Sequence, residues 1–108
     1  MIKKPLAGIR VIDMSQFLPG PFAAQMLADM GADVLKIEPP GGEPMRTLNP
    51  VTNQRGPSPF HNVINAGKRV IQVDLKAGAG IQAFKTLITH ADILIESYRP
   101  GVMARLGL

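Results

Sequence analysis

A chain of 108 residues, 45% apolar and 19% charged, has the composition of one globular domain and no room for a second core. It holds no cysteine, which excludes a disulfide scaffold, a zinc–thiolate site, an iron–sulfur cluster and thiol catalysis, and its two isolated histidines, His61 and His90, do not make a metal site. The net charge of +4 lies wholly in the second half, because residues 1–54 balance five basic against five acidic groups while residues 55–108 set seven against three.

The β-branched run over residues 8–14 predicts a first strand, with Ser15 to Gly20 as a turn. Gly20 is placed as N-cap with Pro21 at the first helical position, where a missing N–H costs nothing. Phe22, Ala23, Met26, Leu27 and Met30 then recur at helical spacing, so a helix is expected over 21–30, stopped by Gly31. Val34, Leu35 and Ile37 predict a second strand over 32–38, closed by Pro39-Pro40-Gly41-Gly42. Residues 43–67 carry Pro44, Pro50, Pro57 and Pro59 without a clear period, and read as a surface excursion with a short turn near Phe60 to Ile64. Alternation over Arg69 to Asp74 predicts a third strand; Ile81, Phe84, Ile88 and Ala91 a second helix; Asp92 to Glu96 a fourth strand buried on both faces. Strands alternating with helices imply an α/β, Rossmann-like, mostly parallel sheet with right-handed crossovers. Two helices leave much of such a sheet bare, and the chain stops at Arg105-Leu106-Gly107-Leu108 in mid-pattern. Residues 1–108 are therefore expected to be the N-terminal part of one larger domain, prone to associate through its bare surface.

Ligands in open parallel sheets settle outside the carboxyl ends of the strands. After the third strand comes Asp74-Leu75-Lys76-Ala77-Gly78-Ala79-Gly80, a lysine before a small-residue helix start whose free N–H groups suit a phosphate. After the fourth comes Ser97-Tyr98-Arg99-Pro100-Gly101, with Arg105 a turn later. Lys76, Arg99 and Arg105 are expected to converge on one rim, the arginines offering a planar fork to phosphate oxygens. Glu38 ends the second strand where a ribose-binding carboxylate would stand, but two prolines replace the glycines of a dinucleotide fingerprint in the turn before the first helix. One tyrosine, 5% aromatics and no basic run longer than two argue against nucleic acid. No apolar run reaches the roughly 18 residues of a membrane span, and no apolar stretch follows Lys3-Lys4, so a soluble cytoplasmic protein without a membrane partner is expected.

Five spaced blocks carry a family resemblance. Pro5-Leu6-Ala7-Gly8-Ile9-Arg10-Val11-Ile12-Asp13, Gly20-Pro21-Phe22-Ala23-Ala24, Leu27 through Glu38, Gly67-Lys68-Arg69 with Asp74-Leu75-Lys76, and Ala91 through Gly101 with Arg105-Leu106-Gly107 resemble the start of family III CoA-transferases. The resemblance implies transfer of coenzyme A from an acyl-CoA to a free carboxylic acid, through mixed anhydrides and a thioester on an aspartate beyond residue 108. No catalytic residue is then expected in this chain, since none of Asp13, Asp29, Asp33, Asp74 or Asp92 takes that place. It further implies that the Val73 backbone, Lys76, Ser97, Tyr98, Arg99 and Arg105 hold the ADP and phosphate end of CoA, and that the Gln16-Phe17-Leu18-Pro19 turn stands beside the thioester. Formyl-CoA transferases carry histidine and glutamine at the positions of Gln16 and Leu18 and an arginine at that of Pro39, which argues against oxalate and formate as substrates. An intertwined homodimer and no metal are implied as well. Two alternatives stand beside the transferase: a 2-methylacyl-CoA racemase, whose branch shares the Tyr-Arg-Pro-Gly spelling but is shorter over 43–67, and a non-catalytic CoA-binding module.

Overall fold

The β-branched segments pair as a parallel sheet in the computed structural model, which describes residues 4–47 and 58–108. The strands are β1 (Arg10–Asp13), β2 (Asp33–Glu38), β3 (Arg69–Gln72) and β4 (Ile93–Ile95), in the order β3-β2-β1-β4. The expected α/β, mostly parallel architecture is observed, and every strand pair is parallel. Among the described residues the strands are connected or followed by the helices α1 (Pro19–Asp29), α2 (Pro59–Ile64), α3 (Gly78–Ile88) and α4 (Val102–Arg105), with a 3₁₀ turn over Pro44–Thr47. The crossover direction reverses between β1 and β4, so the ligand crevice of this topology opens at their carboxyl ends.

Residues paired in a parallel register share a face, which sorts the side chains. Val11, Asp13, Val34, Lys36 and Glu38 point to one side, and Ile12, Leu35 and Ile37 to the other. α1 covers the first side, where Val11, Ala24, Ala32 and Val34 form one apolar cluster. Phe84 of α3 covers the second, packed with Ile12, Met14 and Ile37.

Two expectations are corrected here. α1 begins at Pro19 with Leu18 as N-cap, and its bulky period faces outward: Phe22, Met26 and Met30 are 52%, 46% and 40% exposed, while Pro21 and Ala24 are buried. Pro21 and Ala24 make the contact with Leu27 packed beside them, and Phe22, Met26 and Met30 are left outside. Ile93 and Leu94 are not buried on both faces; they are exposed on a strand that, among the described residues, pairs with β1 alone.

The 43–67 excursion is also no mere surface loop. Glu43, Met45, Ser58, His61, Ile64 and Asn65 are buried, so its described parts cover the carboxyl end of the α1 side. Part of the expected excursion, residues 48–57, lies outside the described residues. Among the described residues no helix is long and apolar enough to cross a membrane.

Candidate functional site

The loop from β1 to α1 is held by its backbone. Ser15 donates both its N–H, at 2.9 Å, and its hydroxyl to Asp13 Oδ1; the Gln16 N–H donates to Ser97 Oγ at 3.0 Å, and the Phe17 N–H to Glu43 Oε2 at 3.1 Å. Three successive amides are thus spent on side chains from three parts of the chain. Pro19 and Pro21 remove two more donors from the start of α1. This loop cannot cradle a pyrophosphate on its backbone, which agrees with the missing glycine fingerprint; it presents side chains instead.

Beneath it lies a buried ion network. Lys36 Nζ meets Glu43 Oε1 at 2.5 Å and Asn65 Oδ1 at 2.9 Å. Lys68 Nζ donates at 2.8 Å to each of Asp13 Oδ2, the Pro21 carbonyl and Asn65 Oδ1. Glu38 takes Arg46 Nε on one oxygen at 2.6 Å and His61 Nε2 on the other at 2.9 Å. Burial pushes the Glu38 carboxyl up, but the hydrogen bonds and charges of Arg46 and His61 outweigh it and hold it below the ordinary range. Burial pushes the Lys68 ammonium down, and Asp13 only partly restores it.

His61 is therefore not isolated, contrary to the expectation from its sequence position. One ligand atom each from Glu38, Glu43 and His61 lies within 4.8 Å of the others. The carboxylates Asp13, Glu38 and Glu43 are nevertheless matched by Lys36, Arg46 and Lys68, so the cluster balances without an added cation. Sequence reasoning missed this network. The available signal was charged residues inside β-branched strands, since Asp13, Lys36 and Glu38 cannot be buried without partners.

On the opposite face a cavity of about 470 Å³ opens at the carboxyl ends of the strands, walled by Gln16, Pro39, Val73, Lys76, Tyr98 and Val102 among others. Lys76 stands at the entry to α3, its N–H capping Asp74 Oδ1 at 3.0 Å. The first intrahelical bond of α3 runs from Ile81 to Ala77, so the amides of Gly78, Ala79 and Gly80 have no partner within the helix.

Of the nine residues implied to bind, the fold gathers four around this cavity: Gln16, Val73, Lys76 and Tyr98. Ser97 acts one layer away, holding the Gln16 amide. Phe17 and Leu18 are exposed beside it, outside its wall. Of the three cations expected on this rim, Lys76 is part of the cavity wall, and Arg99 and Arg105 lie outside that wall. The short turn of α4 carries the Arg105 guanidinium back to the Gly101 carbonyl, 3.4 Å away.

Tyr98 packs its ring against the Ile12 cluster while lining the cavity. Burial, reinforced by Glu96, raises its phenol above the usual 10.0. It is the only tyrosine, so an absorbance titration reads it alone. A midpoint above 10.0 is expected for the folded protein, with stability lost as the pH rises through the unfolded value toward the folded one, because the unfolded chain releases its proton first. A midpoint at or below the free value would contradict this burial.

Comparison with known proteins places these features. Residues 6–108 match the model of CoA-transferase family III. The chain is 42% identical over 106 residues to the "Probable fatty acyl-CoA transferase" of Mycobacterium tuberculosis, covering 97% of this chain and 27% of that protein. It is 43% identical over 105 residues to the succinyl-CoA–L-malate CoA-transferase alpha subunit of Chloroflexus aurantiacus, covering 96% of this chain and 24% of the relative. The crystal structure of a CAIB/BAIF family protein from Brucella suis superposes with a TM-score of 0.90 at 34% identity, over 99% of this chain and 29% of that one. The chain thus spans about a quarter of the length of the relatives it matches.

Proposed function

Since the chain belongs to CoA-transferase family III, we propose that it is the coenzyme A-binding, N-terminal part of the large domain of an enzyme that moves CoA between an acyl-CoA and a free carboxylic acid. The observation that carries this reading is the cavity at the carboxyl rim, because four residues that the family resemblance implies line it from separate parts of the chain. Its apolar wall of Pro39, Val73, Tyr98 and Val102 suits the adenine. Lys76 and the unpaired amides opening α3 suit the phosphates, as a cation beside a helix N-terminus does. Ser97, Arg99 and Arg105 complete the phosphate end in this reading, and the Gln16–Leu18 loop faces the acyl end.

The acyl chemistry belongs to an aspartate beyond residue 108. A carboxylate there attacks the thioester carbonyl and expels the CoA thiolate, leaving a mixed anhydride; the thiolate then attacks the anhydride on the aspartyl side, releasing the donor acid and forming an aspartyl thioester. The incoming acid repeats the two steps in reverse order. Four of the five aspartates of this chain are held by other groups. Asp13 is held by Ser15 and Lys68, Asp33 by Arg69, Asp74 by the Lys76 amide and Asp92 by the Arg10 amide. The exposed stripe of Phe22, Met26 and Met30 supports an enclosing partner, as an intertwined homodimer supplies.

Titration calorimetry tests the coenzyme site. CoA and 3′,5′-ADP are expected to bind with similar, salt-sensitive affinities, and Lys76→Ala to weaken both about tenfold, the worth of one charge-assisted phosphate contact. Unchanged affinity for both ligands in Lys76→Ala overturns the assignment of that rim.

A further inference from the structure

We infer that Glu43 is a positioning residue, which from inside the ion network holds the Phe17 amide and thereby aims the Gln16–Leu18 loop at the coenzyme cavity. The inference rests on the coenzyme reading above and adds to it the residue that sets the loop.

Phe17 has φ +65°, the only positive value at a non-glycine among the described residues. A Cβ makes that conformation unfavourable, and Phe lacks the local hydrogen bonding that lets Asn or Asp adopt it. Something outside the residue must therefore hold it there. The Phe17 N–H donates to Glu43 Oε2 at 3.1 Å across 26 residues of sequence. Glu43 is itself immobilised, with 2% of its surface exposed and its other oxygen on Lys36 Nζ. Lys36 in turn is fixed by Asn65, which α2 delivers through its C-terminal turn.

The reversal at Phe17 separates two destinations. Gln16, one residue earlier, enters the cavity wall, and Leu18, one residue later, caps α1. Relaxation of Phe17 to a negative φ would swing Gln16 against its Ser97 anchor and out of the wall. The conformation that presents Gln16 is thus maintained from the far side of the sheet, by a carboxylate buried in the ion network.

Two variants remove the contact differently. Glu43→Gln keeps an acceptor but breaks the charge pairing with Lys36. Phenyllactic acid in place of Phe17 turns its amide into an ester and removes only the donor, leaving the Lys36–Glu43 pair intact. Both are expected to lose about tenfold in affinity for acetyl-CoA, whose acyl arm passes the loop, while affinity for 3′,5′-ADP changes less than about twofold. In Glu43→Gln, the Phe17 amide is expected to exchange its hydrogen much faster while the Val11 and Ile12 amides keep their protection. An ester variant that binds acetyl-CoA like the parent, or that loses both ligands in equal proportion, overturns the inference even if Glu43→Gln fails to fold. If the parent binds neither ligand, the coenzyme reading fails. Exchange then still judges the anchor, and a Phe17 amide equally protected with and without Glu43 would sink it.

Discussion

Lys36→Met is expected to destabilise the fold by about 3–5 kcal/mol, the cost of leaving a buried charge without its partner. Lys36 is fully buried, and its ammonium serves both Glu43 and Asn65. Methionine fills most of the volume, so the loss reports the charge and not a cavity. Against a typical domain stability of about 5–15 kcal/mol, the change removes a large share of what holds the molecule together. Arg69→Ala supplies the control. Arg69 makes a forked pair with Asp33, but both side chains are largely exposed, at 69% and 47%, so its loss is expected to cost under about 1 kcal/mol. Urea unfolding at constant m-value measures both. Equal costs for the two variants would show that the network is not the closed, water-free cluster its geometry describes.

Gly80→Ala should destabilise the protein by about 2–3 kcal/mol and weaken CoA binding, although alanine is the better helix former by up to about 1 kcal/mol. Sterics decide the sign. A Cβ at Gly80 would overlap the carbonyl of Asp74, which is backbone and cannot rotate aside. The start of α3 would have to move away from the β3 exit, taking Lys76 with it. Gly78→Ala, two residues earlier in the same helix, meets nothing within 4 Å and is expected to gain up to about 1 kcal/mol with no loss of binding. Thermal unfolding and CoA titration of the pair give the answer. Two changes of the same sign would mean that α3 does not approach Asp74 as closely as described.

Much of the fold is legible in the amino-acid sequence alone. The β-branched runs around Val11, Val34, Val70 and Ile93 announce four strands, and the helical period of Ile81, Phe84 and Ile88 announces α3. These signals are local, since whether a residue points up or down a strand depends only on its neighbours. The absence of a glycine fingerprint is equally plain in Pro19 and Pro21. Lys76 and Tyr98 stand out because they directly follow strands, and every strand of a parallel sheet ends on the same rim. Five spaced blocks are enough to indicate the family.

What only the tertiary structure decided was the choice of partner. Asp13, Lys36 and Glu38 stand in the sequence as charges inside strands, each requiring a counter-charge but naming none. Strand order brings Lys68 to Asp13 across 55 residues and His61 to Glu38 across 23, and folds the 43–67 excursion inward to deliver Glu43 and Asn65. The same holds for direction: the apolar period of α1 is visible in the sequence, but the sheet accepts its small residues and leaves Phe22, Met26 and Met30 outside. Arg105 has the spacing of a rim cation, but its contact with the Gly101 carbonyl follows from the turn of α4. Periodicity encodes which residues share a face, because that is set by bond geometry within a few positions. The partner it meets is set by how separated segments share one limited interior, and that competition exists only in three dimensions.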